Sequence, residues 1–220
     1  MQAQTGRSWR VAPRAFYDQD TEAATRSLLG CLLVRVFASG RATDAPGAPG
    51  ARFCGGRIVE AEAYVGEHDP AAHAARGRTP VTQILYGEPG HAYVFQIYGL
   101  HYCLNVVVKP AGEPGCVLIR AIEPLFGLEA MLERRKLEGA KIHEIGSGPG
   151  KVCQALGIDR RLGGADFTAD PLLILSSDQP PPAIRRGPRI GVTKAADWPL
   201  RFWIDGSPWI SRKCGMRNAE

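Results

Sequence analysis

Residues 57–108 read RIVEAEAYVGEHDPAAHAARGRTPVTQILYGEPGHAYVFQIYGLHYCLNVVV, and the two ends of this stretch decide the fold. In an extended strand over residues 58–65, side chains alternate between faces. Val59, Ala61, Ala63 and Val65 then make a small apolar face suited to a core, while Ile58, Glu60, Glu62 and Tyr64 share the other. Two carboxylates and a phenol on one side of an apolar strand suit a solvated edge or the wall of a pocket. At the far end, residues 92–98 and 102–108 are β-rich runs separated by Gly99, Leu100 and His101, which predicts a hairpin. Its tip would expose Tyr98, Leu100 and His101, and a bulky aromatic in that position calls for something to receive it.

Outward from this stretch, Asp20 offers an N-cap to a helix over 21–29 that stops at Gly30. A strand is predicted over 31–38, a Gly- and Pro-rich loop over 39–56, and a strand over 115–122 with Arg120 embedded in it. An arginine so placed needs a carboxylate or a structured polar site. Residues 125–137 carry apolar positions at helical spacing with a charged far side. The run GSGPGK at 146–151 precedes a helical VCQALGI and reads equally as a loop leading into a helix or as a phosphate clamp. LLILSS, RIGVT, RFWI and SPWIS read as short strands between turns. The expected fold class is α+β, one domain with a curved, mostly antiparallel sheet surrounded by helices. Residues 1–14 are expected to form a mobile basic tail, 15–213 the domain, and 214–220 a C-terminal tail.

Composition sets limits on function. The 220 residues, 45% of them hydrophobic, fit one globular core. No run is long and apolar enough for a membrane helix, and no membrane partner is expected. The N-terminus lacks the pattern of a secretory signal, so the expected location is cytoplasmic and nucleoid-associated in a bacterium, or nuclear in a eukaryote. Six scattered cysteines without a CxxC pair predict free thiols and no cysteine-based zinc site. The net charge of +5 permits a polyanionic partner. Glu60, Glu62, Glu67 and Asp69 make an acidic patch, while Arg185, Arg186, Arg189 and Lys194 make a basic segment. A negative centre in a positive surface suits chemistry on a molecule held by its phosphates.

Three chemistries could use these residues. Metal binding would draw on His68, Asp69 and His73, whose spacing matches no strong zinc signature. Nucleophilic catalysis lacks a GxSxG elbow or a cysteine beside a base. Carboxylate-assisted hydrolysis fits best, with Glu62 or Glu60 as the base and Arg120 as a charge partner. The basic surface and aromatic tip suggest nucleic acid as substrate. A module that recognises lesions without excising them and a metal-dependent nuclease are the competing classes.

Taken in order, EAEAYVGEHDPAAHAARGRTP, IYGLHYCLNV, VLIRAIEP, GSGPGKVCQALGI, RIGVTKAADWPLRFW and SPWIS resemble the alkyladenine (N-methylpurine) DNA glycosylase family, from about residue 18 to 211. The resemblance implies a monofunctional enzyme of base excision repair that needs no metal or cofactor. It would act as a monomer on double-stranded DNA containing damaged purines. Such an enzyme flips an alkylated or deaminated purine from the duplex, hydrolyses its N-glycosidic bond and leaves an abasic site.

Residue by residue, the resemblance makes Glu62 the general base, with Arg120 and the backbone carbonyl of Ile190 placing the attacking water. Tyr64 and Phe95 would sandwich the flipped base, His73 would touch its edge, and Asn105 would reject unmodified guanine. Tyr98, on a protruding hairpin that enters DNA, would fill the gap in the helix. Arg78, Thr79, His101, Lys151 and Lys194 would contact the backbone. Phe95 stands where relatives often carry tyrosine, which keeps stacking and loses a hydroxyl contact. The loops at 41–56 and 109–114 differ in length from those of relatives.

Overall fold

In the computed structural model, residues 8–37, 53–137, 142–179 and 182–211 are described. The chain runs β1 (Trp9–Val11), α1 (Thr21–Leu28), β2 (Leu32–Val36), β3 (Phe53–Tyr64), β4 (Ala92–Ile97), β5 (His101–Val107), β6 (Cys116–Phe126), α2 (Leu128–Arg135), α3 (Pro149–Leu156), β7 (Thr168–Ala169), β8 (Leu172–Ser177), β9 (Ile184–Gly187) and β10 (Arg201–Ile204). These strands form one sheet in the order β1-β8-β2-β3-β6-β5-β4, with β10 on β3, β9 on β10 and β7 on β8. Among the described residues every strand pair is antiparallel. With three α-helices beside this sheet, the fold class is α+β.

The long strand β3 is paired on both edges. β2 meets it from Phe53 to Arg57 and β10 from Glu60 to Glu62, while β6 lies along the other edge. The solvated-edge reading therefore fails, and Glu60 and Glu62 are both 0% exposed. β3 also starts earlier than predicted. Phe53 to Gly56, expected in the loop, belong to the strand, because a β-carbon at Gly55 or Gly56 would overlap the carbonyl oxygen of Leu33 or Glu123. Here glycine marks close backbone approach within a sheet and not a turn.

Two bulges correct the predicted faces. Ile58 pairs with Ile122 and Glu60 with Ala121, so Val59 is an extra residue in β3. Ala61 then pairs with Ile119, so Arg120 is an extra residue in β6. Each bulge shifts the alternation by one. Ile58 thereby joins Ala61 and Ala63 in the core instead of sharing the glutamate face, and Arg120 meets Glu60 and Glu62.

The core lies on one face of the sheet. Asp20 caps α1 by accepting the Glu22 amide at 2.9 Å, and α1 and α3 place Ala24, Leu28, Val152 and Leu156 against Ala61, Leu104 and Ile119. Each large aliphatic side chain so buried contributes about 1.5–3 kcal/mol. Alternation in β4 and β5 sends Ala92, Leu104 and Val106 into that core, which leaves Tyr93, Phe95, Cys103 and Asn105 for the opposite face.

Several boundaries differ from expectation. Trp9–Val11, placed in the expected tail over 1–14, pairs with β8, and Ala12 is buried, because β8 offers an open edge there. α2 starts at Leu128 because β6 continues through Phe126 and Gly127 turns the chain at φ 66°. RIGVT and SPWIS are irregular, and the strand partner of β10 is instead Ile184–Gly187. Residues 1–7, most of the loop at 41–56 and the expected C-terminal tail at 214–220 lie outside the described residues.

Replacing Gly56 by alanine forces β3 away from β6 and is expected to lower the unfolding free energy by about 1–3 kcal/mol. Urea denaturation checks this, and an unchanged midpoint would mean that the strands approach less closely than described.

Candidate active site

The sheet face opposite the core, with the loops above it, bounds a cavity of about 450 Å³. Period-two alternation supplies most of its lining: Tyr93, Phe95 and Ile97 from β4, Cys103 and Asn105 from β5, Cys116, Leu118 and Arg120 from β6, and Tyr64 from β3. His73 comes from the 3-10 turn His73–Arg76, Ser147 to Pro149 from the start of α3, and Ile190 and Ser211 from the irregular segments after β9 and β10. Its volume and mixed lining are those of a small-molecule site.

Beneath this lining sits Glu62. Its Oε1 accepts from the Ile190 amide at 2.7 Å and lies 3.2 Å from Arg120 Nη1, while Oε2 accepts from the Tyr64 hydroxyl at 3.1 Å. Burial pushes the Glu62 carboxyl above its ordinary value, opposed by Arg120 and the Ile190 amide. Glu60, the other candidate base, is fully engaged. Its Oε1 meets Arg120 Nε at 3.1 Å, Arg201 Nε at 2.6 Å and the Ser211 hydroxyl at 2.8 Å, and its Oε2 accepts from the Ser211 amide. A carboxylate so saturated has little capacity left to take a proton from water.

The ring pocket has its own supports. Arg189 stacks 4.7 Å from the Tyr64 ring centre, donates to the Ala63 carbonyl at 3.0 Å and pairs with Asp69 at 2.5 and 2.8 Å. Burial acts to raise the Asp69 carboxyl, but hydrogen bonds from Arg189 and the Ala71 amide outweigh it and hold the group below its ordinary value. His73 Nδ1 lies 2.8 Å from the Tyr93 hydroxyl, and its ring stands 4.5 Å from that of Phe95, edge to face. Burial, with Arg76 nearby, lowers the His73 pKa, and burial raises that of Tyr93 to about 12. Both groups are therefore neutral near pH 7. Asn105 is held by its side-chain amide, which donates to the Tyr93 carbonyl at 3.1 Å.

The remaining candidates lie outside the cavity wall, with one exception. Tyr98 is 88% exposed at the hairpin tip, lines the cavity mouth, and has φ 51° beside Gly99 at φ 67°. His101 is exposed beside the hairpin turn, where it pairs with Ile97 and packs against Gly150, so α3 starts beside the hairpin. Lys151 is half-buried in the first turn of α3, and Lys194 is exposed. Arg78 stacks 4.5 Å from the Tyr86 ring centre. The Thr79 hydroxyl is engaged with Thr82 at 2.9 Å, which makes it part of a turn.

Sequence reasoning missed Tyr93, Arg189, Arg201 and Ser211. Tyr93 was legible, being two residues from Phe95 on one strand face. The others were not, since the Arg120, Asp69 and Glu60 side chains that they bond lie 91 to 151 residues away. The acidic patch is also no free negative centre, because Arg120, Arg189 and Arg201 compensate it. Asp69 is committed to Arg189, so His68, Asp69 and His73 do not assemble, and among the described residues no group of three potential ligands could hold a metal ion.

A family model described as methylpurine-DNA glycosylase (MPG) matches residues 15–208. The chain belongs to this family. It is 44% identical over 204 residues to a Koribacter versatilis protein named "Putative 3-methyladenine DNA glycosylase", covering 91% of this chain and 93% of that one. Proteins of the same name from Methanoculleus marisnigri and Methanocella arvoryzae are each 44% identical, over 205 and 206 residues, and 98% and 96% of their lengths are covered. The protein is thus a hydrolase acting on N-glycosyl bonds, a DNA glycosylase that handles DNA damage.

Asp69→Ala would leave Arg189 buried and unpaired, which costs about 3–5 kcal/mol. Thermal and denaturant unfolding should both show the loss, and a near-neutral result would mean that Arg189 swings out to water.

Proposed function

We propose that this glycosylase removes alkylated or deaminated purines by flipping the damaged nucleotide from duplex DNA into the cavity. A water activated by Glu62 then cleaves the N-glycosidic bond. The observation that carries this reading is a buried carboxylate bonded to three residues of an aromatic cavity wall. Of the two candidate glutamates, Glu62 has the fewer partners: its Oε2 accepts only from the Tyr64 hydroxyl of the cavity wall and its Oε1 meets two groups, whereas Glu60 is held by four contacts from Arg120, Arg201 and Ser211. Arg120 and the Ile190 carbonyl orient that water, and the Glu62 charge stabilises the sugar as it becomes cationic.

Tyr64 on one side, and Phe95 with His73 on the other, hold the base. Their faces attract a methylated purine that carries positive charge, which is also a good leaving group. Asn105, fixed by the Tyr93 carbonyl, opposes the exocyclic amine of unmodified guanine, a penalty that cationic 7-methylguanine offsets through its attraction to the aromatic faces and its better leaving ability. Tyr98 enters the stack vacated by the flipped nucleotide. A tyrosine with positive φ is strained, costing about 1–3 kcal/mol, and strain kept at an exposed tip supports a functional reason for it. Arg78, His101, Lys151 and Lys194 contact phosphates on either side, and Thr79 shapes the turn beside them. Among the described residues no lysine lines the cavity, so the reaction ends at the abasic site without a Schiff base. The protein acts as a monomer.

The test is base release in EDTA from duplexes carrying single methylated, ethenoadenine or hypoxanthine lesions, with wild type beside Glu62→Gln. The proposal expects free base and an alkali-labile site from wild type only, with a loss of at least about 100-fold in the variant. Comparable release by both proteins would move the base elsewhere.

The pH dependence has a definite sign. A general base must be ionised, and burial places the Glu62 carboxyl above its ordinary value. Excision of 7-methylguanine, a lesion that is cationic at acid pH, should fall as pH drops, with a midpoint above the ordinary glutamate value of about 4.3. A midpoint at or below that value in the single-turnover profile would contradict burial as the dominant influence.

A further inference from the structure

Arg201 stands directly opposite Glu62 in the β10–β3 pairing, on the same sheet face. It does not bond Glu62. Its Nε reaches the diagonal neighbour Glu60 at 2.6 Å, its Nη2 donates to the Ser211 carbonyl at 3.3 Å, and its guanidinium lies 4.7 Å from the Trp203 ring centre. The side chain is only 14% exposed. Arg120 meanwhile divides itself, with Nε toward Glu60 and Nη1 toward Glu62. Glu60, Glu62, Arg120 and Arg201 therefore form a buried group of two negative and two positive charges.

We propose that Arg201 is a positioning residue for the glycosylase reaction: by satisfying Glu60, it leaves one arm of Arg120 for Glu62 and keeps the buried cluster neutral. Without Arg201, Glu60 competes for the whole of Arg120 and the cluster carries a surplus negative charge. The cheapest relief is a proton on Glu62, which is then unable to act as a base. The other charged and titratable groups facing Glu62 are Tyr64 on its own strand, Cys103 on β5 and Arg189 in the segment after β9. None of them bonds Glu60, so none replaces Arg201.

The inference rests on Glu62 as the base and is tested by acid limbs of single-turnover excision of 7-methylguanine from duplex DNA. Arg201→Met should move the limb upward by roughly one pH unit or more, with the rate approaching that of wild type at higher pH. Arg201→Lys, which keeps the charge, should restore the limb. Glu60→Gln should move it downward, and Glu60→Gln combined with Arg201→Met should bring it back, since that cluster is again neutral. Circular dichroism establishes that each variant is folded. If Arg201→Met does not fold, Glu60→Gln and the double variant decide. A lowered rate at every pH with an unmoved limb would overturn the proposal and make Arg201 merely structural. Should Glu62→Gln excise as wild type does, the reading of Glu62 fails; an inactive Glu62→Gln with unmoved limbs defeats only the role of Arg201.

Discussion

The structure depends on one arginine between two glutamates. Arg120 is an extra residue in β6, and the bulge that accommodates it aims its guanidinium at Glu60 and Glu62 of β3. Neither glutamate touches solvent. Isolated charges in such a place would cost several kcal/mol each, so the strands, the bulges and the segment that supplies Ser211 must all be in register for the cluster to exist. The same requirement ties the ends of the domain together, since Ser211 and Arg201 reach Glu60 from 151 and 141 residues away.

Around that cluster the sheet divides its labour by face. One face packs on α1 and α3 and stabilises the fold; the other gives its odd-numbered β4 and β5 residues and its even-numbered β6 residues to the cavity. Rigid strands therefore carry the aromatic and charged side chains of the cavity, and a chemical site gains from such fixed placement. The hairpin tip, by contrast, projects Tyr98 and Leu100 into solvent. The division suits an enzyme that must hold chemistry still while its outer edge meets a deformable polymer.

Much of this was legible in residue order. The alternation IVEAEAYV located both glutamates, the β-rich runs on either side of Tyr98-Gly99 located the hairpin, and Arg120 in an apolar strand announced a carboxylate partner. The family resemblance then singled out Glu62 as the candidate base. Strict alternation failed at Ile58, because bulges shift the faces and leave no reliable trace in a single sequence. Gly55 and Gly56 read as loop although they lie in a strand, since composition does not distinguish glycine for turning from glycine for close approach. The partners of Glu60 and Asp69 were invisible for a different reason: pairing across more than a hundred residues is set by topology, which no local pattern encodes.

The most direct measurement is a crystal structure of the protein on duplex DNA carrying a damaged purine nucleotide made resistant to hydrolysis by a 2′-fluorine. The account predicts the base between the Tyr64 and Phe95 rings, and a water about 3 Å from Glu62 that faces the anomeric carbon. A flipped base with its water held by another group, and Glu62 still sealed beneath Tyr64 and Ile190, would contradict it.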